Sequence, residues 1–126
     1  MKTTSLWHSF RCGFMGLWDV LKSGRNAKIH VGVALAVITG GLCLPLSRTE
    51  WALLVLTIGA VIAAEAVNTA IETVVDLVSP DYHELARRVK DVAAGAVLVL
   101  AITAIVIGLL VLGPPVAELF RPRASV

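Results

Sequence analysis

Residues 51–78 read WALLVLTIGAVIAAEAVNTAIETVVDLV, a stretch whose two halves differ sharply in polarity. The first half begins at Trp51, an aromatic residue typical of membrane interfaces, and carries no charged side chain before Glu65. The second half carries three carboxylates and one amide, on Glu65, Asn68, Glu72 and Asp76. Since an unpartnered ionisable group at membrane depth costs on the order of 3 kcal/mol, this pattern predicts a membrane helix with a functional site.

The polar side chains of this stretch share one face of the helix. At about 100° per residue, Asn68, Glu72 and Asp76 lie within about 60° of Glu65, over roughly three helical turns. The opposite face is aliphatic. We therefore expect the aliphatic face to contact lipid, and the polar stripe to face a cavity that extends to one end of the helix.

The composition of the whole chain agrees with a membrane protein. Of its 126 residues, 57% are hydrophobic and 16% are charged, and the mean hydropathy is +0.84. These values exclude both a water-soluble globule and a disordered chain. The net charge of +2 is too small to indicate nucleic-acid binding. Cys12 and Cys43 are isolated in the sequence, so we expect neither a metal site nor a disulfide, and we predict that both are buried.

Two further apolar stretches are long enough to cross a bilayer core of roughly 30 Å as helices. The first spans residues 29–46 and ends in a turn-forming sequence. The other spans residues 92–112 and is followed by Gly113-Pro114-Pro115, which is expected to stop a helix. Together with residues 51–78 they predict an all-α integral membrane protein with three transmembrane helices, in a single domain that comprises residues 1–126.

The N-terminal segment, residues 5–25, is predicted to be an amphipathic helix on the membrane surface. On a helical wheel its large apolar side chains fall within about 120°, opposite to its polar and charged ones. The apolar face consists of Leu6, Trp7, Phe10, Phe14, Leu17, Trp18 and Leu21, and the opposite face of His8, Arg11, Asp19 and Lys22. An amphipathic helix packed on a soluble core is the alternative, but the chain predicts no such core.

The basic residues predict how the chain is oriented in the membrane. Eight of the eleven lie on the side of the N-terminus and of segment 79–91, and three lie on the other side. Since basic residues are enriched on the cytoplasmic side, we expect a multi-pass protein with a cytoplasmic N-terminus. Segment 79–91 and the acidic end of the second crossing then also face the cytoplasm.

The stripe of carboxylates favours catalysis or ion binding. The first and third crossings carry no Lys or Arg, so basic partners are available only near the cytoplasmic edge. Clustered carboxylates suit Mg²⁺, which commonly bridges one or two of them to phosphate oxygens, and a buried carboxylate suits a general base. Two alternatives remain: acids that pair with Lys or Arg and only stabilise the bundle, and acids that relay ions. His30, on the first crossing, is expected to be a packed or headgroup-level residue.

Segment 80–91, which follows the stripe, holds the only other concentration of polar residues. Its four potential cations, beside Mg²⁺-binding acids, would make a cradle for a polyphosphate. They are His83, Arg87, Arg88 and Lys90. The alternative roles are topological anchoring for the two arginines and an exposed loop position for His83. The absence of GxxxxGK[ST], GxGxxG, HRD and DFG motifs excludes the known soluble nucleotide-binding architectures.

The runs 65–76, 82–86 and 89–98 resemble the prokaryotic diacylglycerol kinase family, which includes the undecaprenol kinases. The pattern ExxN-[ST]-A-I-E-x-x-x-D, followed about fourteen residues later by K-D, is highly specific, and the resemblance extends from about Phe14 to Leu112. It implies a surface helix, three membrane helices and a homotrimer whose active sites are shared between subunits. It also implies a lipid kinase of the bacterial inner membrane, with ATP as phosphoryl donor and Mg²⁺ as cofactor.

The resemblance also implies roles for individual residues. The family's catalytic base falls on Glu65, and its Mg²⁺-binding carboxylate falls on Glu72. Its conserved polar neighbours fall on Asn68 and Asp76. The residues implied in ATP binding are Glu72, Asp81, Tyr82, His83, Lys90 and Asp91.

One position departs from the family pattern. Where related sequences have an acidic residue that binds a second metal ion, just before Arg25-Asn26, this chain has Gly24. Glycine has no side chain that could bind a metal. We therefore expect Mg²⁺ to depend on Glu72, phosphate oxygens and water, or another acid such as Asp19 to take that place.

The sequence carries features of both branches of the family. Segments 25–30 and 93–97 look like the undecaprenol kinases, whereas segment 81–85 looks like the diacylglycerol kinases. We expect diacylglycerol to be the substrate and keep undecaprenol as the alternative. A non-enzymatic, ion-coupled membrane bundle is the remaining alternative, and it predicts no lipid phosphorylation.

Overall fold

The computed structural model describes residues 5–122, which form four α-helices and no strand. The helices are α1 (Leu6–Ser23), α2 (Arg25–Leu42), α3 (Arg48–Val78) and α4 (Glu84–Leu119). The prediction of an all-α fold is thereby confirmed. Lys2 and Arg123, two of the basic residues behind the predicted orientation, lie outside the described residues.

Gly24 separates the two N-terminal helices. It follows the last residue of α1 and caps the start of α2, with an extended backbone of φ −91° and ψ 120°. Helix α1 matches the segment predicted as a surface helix, and it has no buried residue. Its apolar side chains are exposed, with Trp7 at 78% and Phe14 at 73%. Its attachment to a membrane surface stays a prediction.

The turn between α2 and α3 is fixed by a helix cap and by close packing. Glu50 N donates a hydrogen bond of 3.2 Å to Ser47 Oγ, and Ser47 N donates one of 2.6 Å to Glu50 Oε2. This capping box explains why α3 begins three residues before Trp51. A Cβ on Gly41 would lie 3.0 Å from the Trp51 ring, so a glycine at the end of α2 allows this close contact.

Helix α4 begins earlier than predicted. It starts at Glu84, so most of the polar segment 80–91 is helix and not loop. His83 caps this end, because its Nδ1 accepts a hydrogen bond of 3.2 Å from the backbone N of Leu85. The negative charge of Glu84 in the first turn also complements the helix dipole.

Helix α4 also ends later than predicted. The stop expected at Gly113-Pro114-Pro115 was wrong, because the helix continues through both prolines to Leu119. Proline has a helix-compatible φ, and membrane helices tolerate both its missing N–H donor and the crowding of its ring against the carbonyl four residues earlier.

Helices α3 and α4 are the two, within residues 5–122, that are long and apolar enough to cross a membrane. In their most apolar windows only 22% and 11% of the residues are buried, so their side chains mostly face outward and do not form a soluble core. Helix α2 falls short because its first six residues include Arg25, Lys28 and His30, and the twelve that follow span about 18 Å. The crossing predicted for residues 29–46 thus stays a prediction.

Packing within the chain centres on α3, which contacts α4, α2 and α1. The buried apolar side chains are those of Ala27, Ala34, Leu54, Val61, Ala93, Val97 and Val111. Cys12 and Cys43 are exposed, so the prediction that both are buried was wrong for the single chain. The reason is their position, since α1 buries no residue and Cys43 lies at the C-terminal cap of α2.

Candidate active site

Two residues of the polar stripe are deeply buried, Glu65 at 5% exposure and Asn68 at 7%. Counted from Trp51 at about 1.5 Å per residue, Glu65 lies about 21 Å along α3, within a bilayer core of roughly 30 Å. Asp76 lies about 38 Å along the helix and therefore beyond that core. Counted from Trp51, the stripe thus begins within the length of helix that crosses a bilayer core and ends beyond it.

Glu65, Asn68 and Glu72 line one cavity of about 270 Å³ between α2, α3 and α4, which we call the carboxylate cavity. The two carboxylates therefore lie on the same side of α3, as helical spacing predicts. Helix α2 contributes Asn26 and His30 to this cavity. Helix α4 contributes an apolar wall of Ala94, Val97, Leu98 and Ala101.

Asn68 lies between Glu65 and Glu72 along α3 and lines the same cavity. Its Nδ2 donates a hydrogen bond of 3.2 Å to Oε1 of Glu72. Its Oδ1 is buried and has no hydrogen-bond partner within residues 5–122. Because a buried unpartnered carbonyl oxygen costs about 1–3 kcal/mol, this atom is suited to accept a hydrogen bond from, or to coordinate, a bound ligand.

Glu65 lies near a single basic group among the residues that the structure describes. Nε2 of His30 is 4.0 Å from Oε2 of Glu65, a separation too long for a direct hydrogen bond. No Lys or Arg neutralises this carboxylate within the described part of the chain. Glu65 is therefore placed to accept a proton from a group that enters the cavity.

An apolar groove of about 570 Å³ lies beside the carboxylate cavity, between α2, α3 and α4. Ile29, His30 and Ala101 line both spaces, which therefore adjoin. The groove extends to Leu54 on α3 and to Val116 on α4. A cavity with carboxylates beside a long apolar groove suits an amphiphilic ligand.

A second cavity, of about 250 Å³, lies where α3 meets α4, and we call it the connection cavity. The predicted site residues that line it are Asp76, Asp81, Tyr82, His83 and Lys90. Lys90 forms an ion pair with Asp76, so the outermost acid of the stripe is the one with a cationic partner. Glu72 of the carboxylate cavity and Asp76 of the connection cavity are about 6 Å apart along α3, so the two cavities follow one another along one helix face.

Arg87 links the polar residues at the start of α4. Its guanidinium lies 2.6 Å from a carboxylate oxygen of Glu84 and 2.6 Å from one of Asp91, and the Tyr82 hydroxyl donates to Glu84 at 2.7 Å. Arg87, and then Tyr82, lowers the pKa of Glu84 below its ordinary 4.5. The stabilisation from this exposed network is therefore present above pH 4.5 and lost as the pH falls through the lowered pKa. Asp91 faces Arg87 and does not line the connection cavity.

The donor atoms in the carboxylate cavity fit a magnesium ion that arrives with phosphate. Within residues 5–122, no three His, Cys, Asp or Glu side chains come together as a complete metal site. Glu72 and the unpartnered Oδ1 of Asn68 offer two kinds of oxygen ligand. Mg²⁺ commonly takes one or two protein oxygens and completes its shell with phosphate and water. Gly24 does not line this cavity.

Two residues of the carboxylate cavity, Asn26 and His30, were not among the predicted site residues. They are four residues apart on α2, so helical geometry places them on the same face. Two polar residues at that spacing, just before the long apolar part of α2, are the signal in the sequence that could have indicated them. Which face of α2 packs on α3 is decided by tertiary contacts, and the spacing does not indicate it.

The fold and the site together define a helical membrane protein with a buried carboxylate site between α2, α3 and α4. Comparison with known proteins gives its family. The sequence model of the family described as prokaryotic diacylglycerol kinase matches residues 11–112. The chain belongs to this family of membrane lipid kinases. The resemblance inferred from the sequence is thereby confirmed.

Individual relatives carry two different substrate names. The undecaprenol kinase of Bacillus subtilis is 42% identical over 99 residues, which are 79% of this chain and 80% of that protein. The diacylglycerol kinase of Synechocystis is 45% identical over 112 residues, which are 88% of this chain and 64% of that protein. The diacylglycerol kinase of Escherichia coli K12 is 39% identical over 77 residues, 60% of this chain and 62% of that protein.

Proposed function

We propose that this protein is a diacylglycerol kinase, which transfers the γ-phosphoryl group of ATP to the hydroxyl of diacylglycerol and releases phosphatidic acid. The observation that carries the proposal is Glu65, a buried carboxylate without a Lys or Arg partner in the described chain, in a cavity that adjoins an apolar groove. Acyl chains in the groove would bring the hydroxyl of the lipid to this carboxylate.

In the proposed reaction, Glu65 is the general base. It accepts the proton of the lipid hydroxyl while the hydroxyl oxygen forms a bond to the γ-phosphorus. The bond between that phosphorus and the β,γ-bridging oxygen breaks, and ADP leaves. Because the transfer is direct, no phosphorylated protein intermediate is required.

The nucleotide is proposed to bind from the connection cavity toward the carboxylate cavity. Asp81, Tyr82, His83 and Lys90 line the first of these, and an extended triphosphate reaches from there toward Glu72. Lys90 would exchange Asp76 for a phosphate oxygen, because phosphate is the more highly charged partner. Asp91 would act through Arg87, with which it pairs. Glu72, with Asn68, would hold Mg²⁺, which when bound neutralises charge on the phosphoryl oxygens.

The chain is proposed to work as a homotrimer in the bacterial inner membrane, with its N-terminus in the cytoplasm. The support is the surface of the single chain, on which side chains such as Leu56 at 71% and Leu98 at 60% exposure are uncovered. Lipid and neighbouring subunits would cover them. Neighbouring subunits would also close cavities that one chain leaves open, so that the active sites are shared.

Undecaprenol is the second candidate substrate. It is favoured by the 42% identity to the undecaprenol kinase of Bacillus subtilis, which extends over 80% of that protein. The long apolar groove is compatible with either lipid, since both present a hydroxyl on an apolar chain.

Purified protein in vesicles, given radiolabelled ATP and one lipid at a time, tests the proposal. We expect label in phosphatidic acid. Label in undecaprenyl phosphate alone would select the second candidate, and a protein that labels neither lipid would not be a kinase of these lipids. A non-enzymatic, ion-coupled bundle would then be the better interpretation.

The matched variant for this assay is Glu65→Gln, which keeps the size of the side chain and removes the base. We expect a folded protein whose turnover falls at least about 10²-fold, the contribution of a positioned general base. Turnover close to that of the wild type would contradict the role of Glu65.

A further inference from the structure

The carboxylate cavity contains a titratable side chain to which the proposed reaction gives no role. His30 lies on α2 and lines the carboxylate cavity, the apolar groove and the small space beneath α1. Its side chain is 20% exposed, and its Nε2 lies 4.0 Å from Oε2 of Glu65, whose side chain is 7% exposed. The imidazole of His30 and the carboxylate of Glu65 are therefore neighbours in the lining of the cavity.

The carboxylate of Glu65 is otherwise held by nothing in the described part of the chain. The backbone carbonyl of Glu65 accepts a hydrogen bond of 2.9 Å from Thr69 Oγ1, but no hydrogen bond reaches its side chain within residues 5–122. The neighbouring carboxylate differs, because Glu72 accepts a hydrogen bond from Asn68. A general base must be held within a fraction of an ångström of the proton that it accepts, so Glu65 requires a partner that Glu72 already has.

The elements packed around Glu65 offer two candidates for that partner, Asn26 and His30, and His30 is the one whose donor nitrogen lies 4.0 Å from Glu65 Oε2. Helix α1 contributes only apolar side chains to this region, and so does α4; they are Leu17, Val20 and Leu21, and Ala94, Val97, Leu98 and Ala101. Helix α2 contributes Asn26 and His30. Among the described residues that line these spaces, the titratable groups are therefore His30, Glu65 and Glu72.

We infer that His30 is the positioning residue for Glu65, and that its Nε2–H donates to Oε2 and holds the carboxylate toward the entering lipid hydroxyl. This inference rests on the proposed function, because it assigns a role in the same reaction. The separation of 4.0 Å is about 1 Å longer than a hydrogen bond, and bonds of this kind often tighten only when substrate closes the site. Donation from Nε2 is the specific requirement that can be tested.

Three substitutions of His30 separate this role from packing. His30→Gln retains an N–H donor at the distance of Nε2, His30→Asn retains a donor only at the distance of Nδ1, and His30→Phe retains the ring without a donor. Turnover and KM for both ATP and lipid are measured beside the wild type and Glu65→Gln, and the thermal midpoint in detergent reports folding.

We expect turnover to fall about 10²-fold in His30→Asn and His30→Phe, the loss associated with a misplacement of about 1 Å, while both KM values change less than about threefold. His30→Gln is expected to recover at least about tenfold of that loss. If His30→Phe does not fold, the difference in turnover between His30→Gln and His30→Asn still tests whether donation from the position of Nε2 is required.

Three results would overturn the inference while the proposed function stands. They are full turnover in His30→Phe, equal turnover in the Gln and Asn variants, and a loss expressed in the KM for lipid, which would make His30 a lipid-binding residue. A wild-type protein that phosphorylates neither lipid would overturn the proposed function, and the inference with it.

Discussion

The three carboxylates of the polar stripe on α3 have three different environments, although they lie on one helix face. Glu65 is buried beside an imidazole, Glu72 accepts a hydrogen bond from an amide, and Asp76 pairs with Lys90. Only the outermost acid is thus neutralised by a full positive charge within the described chain. The alternative in which the acids merely pair with Lys or Arg describes Asp76 in this structure, but not Glu65.

Replacement of Lys90 distinguishes binding of nucleotide from support of the bundle. Lys90→Met retains the stem and removes the charge, so we expect the KM for ATP to rise about tenfold, as for a lost charge-assisted hydrogen bond of about 1.5 kcal/mol. Steady-state kinetics at varied ATP measures this. Arg88→Met is the control, since Arg88 is a nearby exposed cation outside the connection cavity. A lowered thermal midpoint with unchanged KM would assign Lys90 to the bundle alone.

The absence of an acid at position 24 predicts an unusual dependence on Mg²⁺. We expect Gly24→Glu to lower the Mg²⁺ concentration needed for half-maximal activity, because it restores a carboxylate where related sequences have one. Gly24→Ala is the matched control, since a Cβ at this position would already lie 3.1 Å from the carbonyl oxygen of Val20 and 3.2 Å from Cβ of Ala27. An identical Mg²⁺ titration for the two variants would argue against a vacant second-metal position.

The ends of the helices explain how the site residues come together. The capping box at Ser47 fixes where α3 begins, and the cap at His83 starts α4 directly after the turn. Helix α4 therefore runs back along α3 from its first turn, and Lys90 reaches Asp76 across the pair of helices.

The cap at the start of α3 is expected to contribute measurably to stability. Ser47→Ala removes the acceptor for the backbone N of Glu50, and such caps typically contribute about 1 kcal/mol. Reversible unfolding in mixed detergent measures the change in the free energy of unfolding. Thr49→Ala, two residues further on and exposed, is the control and should change the free energy of unfolding by less than about 0.5 kcal/mol.

Within residues 5–122, a single chain buries few side chains and leaves many large apolar ones exposed. Its buried apolar residues form a narrow seam between helices, while large side chains on α1, α3 and α4 are exposed. A monomer that exposes so many apolar side chains would aggregate in water, and in a bilayer its cavities would remain open on one side. Assembly into a trimer would cover these faces and close the cavities.

Mixing two impaired variants tests whether subunits share active sites. If Glu65 of one subunit works with Lys90 of another, mixed oligomers of Glu65→Gln and Lys90→Met will contain some intact sites. Lipid phosphorylation at an ATP concentration below the wild-type KM is then expected to exceed the sum of the two variants assayed unmixed. Subunits are exchanged in detergent and assayed after reconstitution. Glu65→Gln mixed with Glu72→Gln is the control, because both residues line one cavity of one chain and no intact site should form. No gain over the unmixed variants in either mixture would indicate sites contained within single subunits.

The amino-acid pattern predicted the helices, the polar face of α3 and the family, because hydrophobic periodicity and residue spacing are local properties of the chain. Glu65 and Glu72 are seven residues apart, and any helix brings them to one side. Contacts between helices follow from packing, which the spacing does not encode. The tertiary structure alone therefore decided the proximity of His30 to Glu65, the pairing of Asp76 with Lys90 and the exposure of both cysteines.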